Sequence, residues 1–315
     1  MSRRRNKRTS GLNLLFALNK PSGMVTRSVD NAVGKALMDD GVGHLGTLDP
    51  SVTGVLVLAV GQGRKLISCI EEGKRKGYMG SIAFGEERAT DDAEGDVTRT
   101  AGIPSELYDY AFAEKVVASL VGRRMQRPPR YSAVKVGGVR AYDLARAGEE
   151  FELPEREIEI YDARLVGIDT EQGLRWLCSF EVSTGTYIRA IARDLGRDLG
   201  CAAYLSDLCR TSSGNVRLSD CITLEAIERT GQQGAREAAL DPVRVLGFPT
   251  YCLEERELGL ATHGTPFDSR DACRYAHDGL VSLVRGNLLY GVWCLDGGLL
   301  RPKANCPMGV EGVRL

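Results

Sequence analysis

Apolar positions fall into two kinds of run along the chain. LNLLFALNK (12–20) and GVLVLAVG (54–61) are apolar almost throughout, as strands covered on both faces are. Between them, VDNAVGKALMDDG carries apolar residues at 29, 32, 33, 36 and 37, a helical spacing, with Ser28 or Asp30 placed to cap its start and Gly41 to end it. YMGSIAFG predicts another strand, followed by the acidic, turn-rich ATDDAEGD, and residues 112–121 have helical spacing. QRPPRYSAVKVGGVRAYDLARAG (126–148) predicts a proline-rich loop, a short strand, a Gly-Gly turn and a helix. IEIYDARLVGI and LRWLCSFEVS pair as a hairpin, TYIRAIARDLGRDLG is an amphipathic helix, and AYLSDLCRTSSG leads into a further strand. Irregular alternation with hairpins predicts an α+β fold around a mostly antiparallel sheet flanked by helices. From about residue 251 the texture changes to short strands with glycine turns (LVSLVRGNLLYGVWCLDGGLLRPKANCP), a small β-barrel-like module with its boundary near GFPTY, 247–251.

A chain of 315 residues, 43% hydrophobic and 26% charged, has material for about two globular domains. The start, MSRRRNKRTSG before LNLLFAL, imitates a secretory signal, but the apolar run is too short and lacks a cleavage site, so residues 1–11 are expected to be a disordered basic tail. No run reaches membrane-span length. Nine cysteines with no CxxC suit free thiols in a reducing cytoplasm. Cys273 and His277 lie four apart, but no second ligand pair accompanies them, so no metal is expected. The net charge of −1 points to no polyanion, whereas its distribution does: base clusters in SRRRNKR, in GRK (Arg64, Lys65), in GKRKGY (73–78) and in GRRMQRPPR (Arg123, Arg124, Arg127, Arg130), and acid in EEFELPEREIEI (149–160).

The stretch most suggestive of chemistry is GHLGTLDPSVTG (43–54). Asp-Pro-Ser is a good type I turn, so Asp49 has a structural explanation as well as a catalytic one. No Walker A loop, GxGxxG or acyl-transfer triad competes for attention.

Taken in order, NKPSG (19–23), GHLGTLDPSVTGVLVLAVGQGRKL (43–66), KGYMGSIAFG with TDDAEGD (76–96), QRPPRYSAVKVGGVRAYDLARAG, and STGTYIRAIARDLG with YLSDLCRTSSG (183–214) closely resemble the TruB family of tRNA pseudouridine synthases, over residues 12 to about 230. The resemblance implies isomerisation of the uridine numbered 55 in the T arm of tRNA, with the target base flipped into a pocket. It implies Asp49 as nucleophile, Arg189 as its ion-pair partner, and Tyr78 stacking on the base and assisting proton removal. Tyr187 and Leu208 would line the base pocket, and His44 would fill the space left by flipped bases. Lys20 and Pro21 would support the loop. Arg64, Lys65, Arg123, Arg124, Arg127 and Arg130 would meet the RNA backbone. A catalytic domain over 12–248 would carry a thumb-like insertion at 122–148, and 249–315 would form a PUA-like RNA-binding domain. Leu45 departs from the family pattern, where threonine is common. The implied enzyme is a monomer that needs no cofactor and no metal. Two alternatives share the motifs: a guide-dependent, dyskerin-like pseudouridylase subunit, and a tRNA-binding protein that has lost catalysis.

Overall fold

The computed structural model describes residues 8–71, 75–268 and 279–314. The cluster 2–7, the start of GKRKGY and the Cys273/His277 pair lie outside the described residues. The chain divides into two compact units, Met1–Lys74 with Ser212–Leu315, and Arg75–Thr211. Among the described residues no helix is long and apolar enough to cross a membrane.

In the first unit the strand Leu14–Lys20 lies between Thr53–Val60, antiparallel, and Cys221–Thr223, parallel. Its alignment runs from Leu14 opposite Val60 to Lys20 opposite Gly54. A short strand, Val42–Leu45, pairs antiparallel with Thr53–Val60 and places His44 opposite Leu58. The two long apolar runs are buried on both faces, as their composition predicts. The helix Thr26–Leu37 buries Val29, Val33 and Leu37 and packs on the helix Leu224–Glu237. It stops four residues before Gly41. Met38 takes the left-handed conformation (φ 54°) and donates to the carbonyls of Gly34 and Lys35. Gly34 permits this early stop, because a Cβ there would sit 2.7 Å from the Asp39 carbonyl oxygen.

The C-terminal strands Thr250–Cys252, Leu280–Arg285, Leu288–Asp296 and Leu299–Glu311 form a separate sheet, its first pair parallel and the rest antiparallel. Val284, Leu289, Val292 and Val310 from that sheet share one core with Leu15, Ala17, Val55 and Val57. A second cluster forms around Phe267 and Trp293.

In the second unit Ala203–Ser213, Lys76–Phe84, Arg175–Val182, Arg156–Asp169 and Gly122–Gln126 lie in that order, the last four antiparallel. The expected hairpin is present as Arg156–Asp169 with Arg175–Val182. Trp176 centres the core, edge-on to Phe84 at 4.8 Å, its indole N–H donating to the Leu107 carbonyl at 2.9 Å. The helix Ile188–Asp198 is buried along most of its length, and Gly196 lets it approach the next strand: a Cβ there would lie 2.6 Å from the Ala203 nitrogen. Residues 122–148 comprise the strand Gly122–Gln126, the small hairpin Lys135–Val136 with Val139–Arg140, and the helix Ala141–Arg146. The architecture is the α+β arrangement of mixed, mostly antiparallel sheets flanked by helices, with a β-rich C-terminal region.

Candidate active site

Asp49 sits half-buried in the loop between Val42–Leu45 and Thr53–Val60, where the Val52 amide donates to the Asp49 carbonyl at 3.1 Å and closes the turn. The loop is held through its carbonyls. Lys20 is fully buried, and its three ammonium hydrogens go to Pro21 O (2.8 Å), Pro50 O (2.9 Å) and Val52 O (2.8 Å). The Thr26 hydroxyl donates to Leu48 O (2.9 Å) and accepts from the Leu48 amide (3.1 Å). Ser22 donates to Ser51 O at 3.1 Å, and the Gly23 amide to Pro50 O at 2.9 Å. The NKPSG segment therefore grips the chain after Asp49, and Thr26, at the start of the following helix, grips it before.

His44 occupies a strand rather than the loop, and its Nδ1 lies 2.8 Å from a carboxylate oxygen of Asp30, a buried residue that also meets Arg27 at 3.5 Å. A carboxylate on Nδ1 fixes the proton there and leaves Nε2 as the ring's other functional atom. Arg64 and Lys65 are exposed, with the Lys65 ammonium on Asn305 O at 2.9 Å.

In the second unit Arg189, one-twentieth exposed, opens the helix Ile188–Asp198. Its guanidinium donates to Thr90 O (2.7 Å) and Tyr131 O (3.1 Å) and lies 3.4 Å from the Asp92 carboxylate. Tyr187, just before it, is bound at both backbone groups by the Gln126 side chain, at 2.9 and 3.0 Å, and carries the Arg156 guanidinium 4.7 Å over its ring. Tyr78 is buried opposite Phe180, and Leu208 packs on the core cluster that contains Tyr78. Leu208 also abuts Gly80, where an added Cβ would come within 3.1 Å of its Cδ1. The structure thus brings Asp49 and His44 together with Lys20 in one unit, and Arg189, Tyr187, Tyr78 and Leu208 together in the other.

Basic residues of the 122–130 stretch are exposed or half-exposed; two of the four arginines meet acid from residues 155–159, and two bond backbone carbonyls. Arg123 lies 3.7 Å from Glu159 and 4.0 Å from Glu157, and Arg127 lies 3.3 Å from Glu155. Arg124 turns back to Leu120 O (2.7 Å), and Arg130 donates to Glu149 O (2.9 Å). Exposed pairs of this kind are worth only about 0.2–1 kcal/mol and exchange readily for a phosphate.

Sequence reasoning takes ATDDAEGD as a turn and a part of the resemblance but assigns it no site residue. Asp92 accepts from the Thr90 hydroxyl and the Glu94 amide and faces Arg189. Asp91 pairs with Arg193 at 2.8 Å, and burial pushes its carboxyl up to about 6, above the usual carboxylate range, against the opposing pull of Arg193 and Arg189. Glu87 goes the other way: a hydrogen bond from Arg197 (2.6 Å) lowers its pKa despite desolvation. These groups line a cavity of about 840 Å³ between the 87–91 hairpin, the helix Ile188–Asp198 and residues 125–155. Each arginine on its wall that belongs to the helix already holds a carboxylate.

Comparison with known proteins places these features. A family model described as the N-terminal domain of TruB family pseudouridylate synthase matches residues 35–188, and one described as the tRNA pseudouridylate synthase B C-terminal domain matches residues 189–244. A tRNA pseudouridine synthase B of a Chelativorans species is 34% identical over 319 residues, covering 96% of this chain and 98% of the relative. That of Bacillus subtilis is 39% identical over 234 residues, covering 74% of this chain and 75% of the relative. Among solved structures, a crystal structure of a Cbf5-Nop10-Gar1 complex contains a chain of TM-score 0.65 and 22% identity, covering 92% of this chain and 85% of that one, a likeness of fold.

Proposed function

Because the chain belongs to the TruB family of pseudouridylate synthases, and is by that membership a pseudouridine synthase, an isomerase of tRNA, we propose that its target is uridine 55 in the T arm and that Asp49 is its nucleophile. The reading rests on one observation above the others: Lys20, Ser22 and Thr26 bind the carbonyls of Leu48, Pro50, Ser51 and Val52. The chain on either side of Asp49 is thus fixed through its main chain. A nucleophile needs such a rigid mount, since a misplacement of about 1 Å costs on the order of 100-fold in rate.

In the proposed reaction the bond from uracil N1 to the ribose anomeric carbon breaks, the ring turns, and carbon 5 bonds to the same sugar carbon. Carbon 5 gives up its proton and N1 gains one. Asp49 attacks as an ionised carboxylate, and Arg189 supplies the positive charge that a water-poor site requires. Tyr78 stacks on the flipped base and assists loss of the carbon 5 proton, Tyr187 and Leu208 form the pocket wall, and His44 enters the gap in the T loop. Arg64, Lys65, Arg123, Arg124, Arg127 and Arg130 meet stem phosphates, the last five in exchange for their present partners. Residues 122–148 act as the thumb that closes over the loop, and 249–315 as a PUA-like grip on the acceptor stem. The enzyme works as a monomer in the cytoplasm without cofactor or metal, a setting in keeping with the eight free cysteines among the described residues.

Incubating purified protein with a T-arm hairpin tritiated at uracil carbon 5 tests this. Tritium release without guide RNA or added protein is expected; its absence would favour the guide-dependent reading and remove the stand-alone one.

A further inference from the structure

The segment Gln126–Tyr131, where the 122–148 insertion leaves the sheet, is fastened to the helix Ile188–Asp198 three times. Gln126 binds both backbone groups of Tyr187, Arg193 donates to Arg127 O at 2.9 Å, and Arg189 donates to Tyr131 O at 3.1 Å. Pro128 and Pro129 between these points are buried and have no amide hydrogen, so they offer their neighbours no backbone donor. Arg189 and Arg193 stand one helical turn apart on the same face, and both also reach the 90–92 turn, Arg189 at Thr90 O and Asp92, Arg193 at Asp91. The two side chains form parallel rungs, and the second consists of a buried ion pair that the catalytic reading does not use. Asp91 holds a left-handed backbone (φ 61°), which aims its carboxylate at the helix.

We propose that Arg193 and Asp91 are positioning residues for pseudouridine formation, a second clasp that locks the root of the insertion to the helix carrying Arg189. The insertion and the arginine then keep one relative geometry when RNA binds. This rests on the function proposed above.

The clasp depends on an ionised Asp91. The charged groups around it are Arg189, Arg193 and Asp194 on the helix, Arg127 on the insertion, and Glu87 and Arg88 on its own hairpin. Burial outweighs the arginines, so the ion pair is intact above about pH 6 and lost below it. The sign for stability is opposite. The folded chain holds this proton more tightly than the unfolded one, so protonating Asp91 favours the folded state. Loss of the clasp in mild acid is therefore not acid unfolding.

The test has an activity arm and a structural arm. Single-turnover tritium release from the T-arm hairpin is followed from pH 5 to 8 for the wild type, Asp91→Asn and Arg193→Gln, Asn being chosen because it tolerates the left-handed backbone. Expected are a wild-type rate that falls below about pH 6, a rate for either variant about ten-fold lower at pH 7.5 and flat across the acid range, and a double variant no slower than the singles. An acid limb that persists in Asp91→Asn belongs to another group and overturns the proposal, as does a variant rate within two-fold of wild type at pH 7.5. In the structural arm, hydrogen exchange of the 130–142 amides, corrected for intrinsic rates, should quicken in the wild type between pH 7 and 5.2; unchanged exchange overturns the clasp. That arm needs no variant and no turnover. A wild type that releases no tritium refutes the function while exchange still decides the clasp.

Discussion

Replacing Lys20 by Met keeps the length of the side chain and removes the hydrogen bonds that hold the Asp49 loop. Three carbonyls, Pro21, Pro50 and Val52, lose a charged donor at 2.8–2.9 Å beside a fully buried side chain, and of these Pro50 O keeps the Gly23 amide. Each orphaned buried acceptor costs about 1–3 kcal/mol. Against that, the variant is spared the desolvation of a buried ammonium, itself several kcal/mol. The balance is a destabilisation of about 2–4 kcal/mol, which for a unit of this size lowers the melting temperature by about 4–16 °C. The larger effect is on rate. A loop released from Lys20 keeps its tethers to Ser22, Gly23 and Thr26 but frees the carbonyl of Val52, and if Asp49 is the nucleophile, a displacement of about 1 Å costs on the order of 100-fold. The assay is single-turnover tritium release at 20 °C, well below the melting point of both proteins, beside a thermal melt. Were Lys20→Met to keep its rate within three-fold while melting lower, the ammonium would serve stability alone and the account of the mount would be wrong.

Asp49→Asn should abolish tritium release and leave T-arm binding within a few-fold of wild type by filter binding; release at a comparable rate would remove Asp49 as nucleophile. Arg189→Ala strands the Asp92 carboxylate and two acceptors, so it should lower the melt by an amount equivalent to about 3–5 kcal/mol and depress the rate far more than affinity; equal losses in rate and binding would point to a backbone-contact role. The pair Arg123→Ala with Arg127→Ala should weaken T-arm binding at low salt and reduce the slope of log affinity against log salt by about 2 if each meets one phosphate; an unchanged slope would leave both in their pairs with Glu159 and Glu155.

The strands that carry the site were legible because doubly buried strands must be apolar throughout, and GVLVLAVG has no other economical reading. The ends of the helix Thr26–Leu37 were not. Local rules nominate Ser28 or Asp30 as caps, yet no side chain caps this helix: Thr26 serves Leu48 and Asp30 serves His44. Distant partners outcompeted the local backbone, a contest that no single window of sequence displays. The ATDDAEGD turn was recognised as a turn, while its partners Arg189 and Arg193 lie about a hundred residues on, joined to it only by the fold. Acidic and basic stretches were both visible, and their pairing was not. It follows from a strand register that sets Arg123 directly opposite Glu159, and register depends on the whole sheet.

The core shared by Leu15, Ala17, Val57, Val284, Val292 and Val310 bears on how this protein tolerates shortening. The strand Leu14–Lys20 reaches the Asp49 loop at its last residue and, through Leu15 and Ala17, shares a core with side chains from the C-terminal sheet. That sheet therefore supplies part of the core behind the strand that carries Lys20 to the Asp49 loop. A chain ending before Leu280 would keep Lys20, Asp49 and Arg189 and yet would present to water the apolar face on which the Asp49 loop is built, making the C-terminal strands a foundation that selection cannot trim away as an accessory.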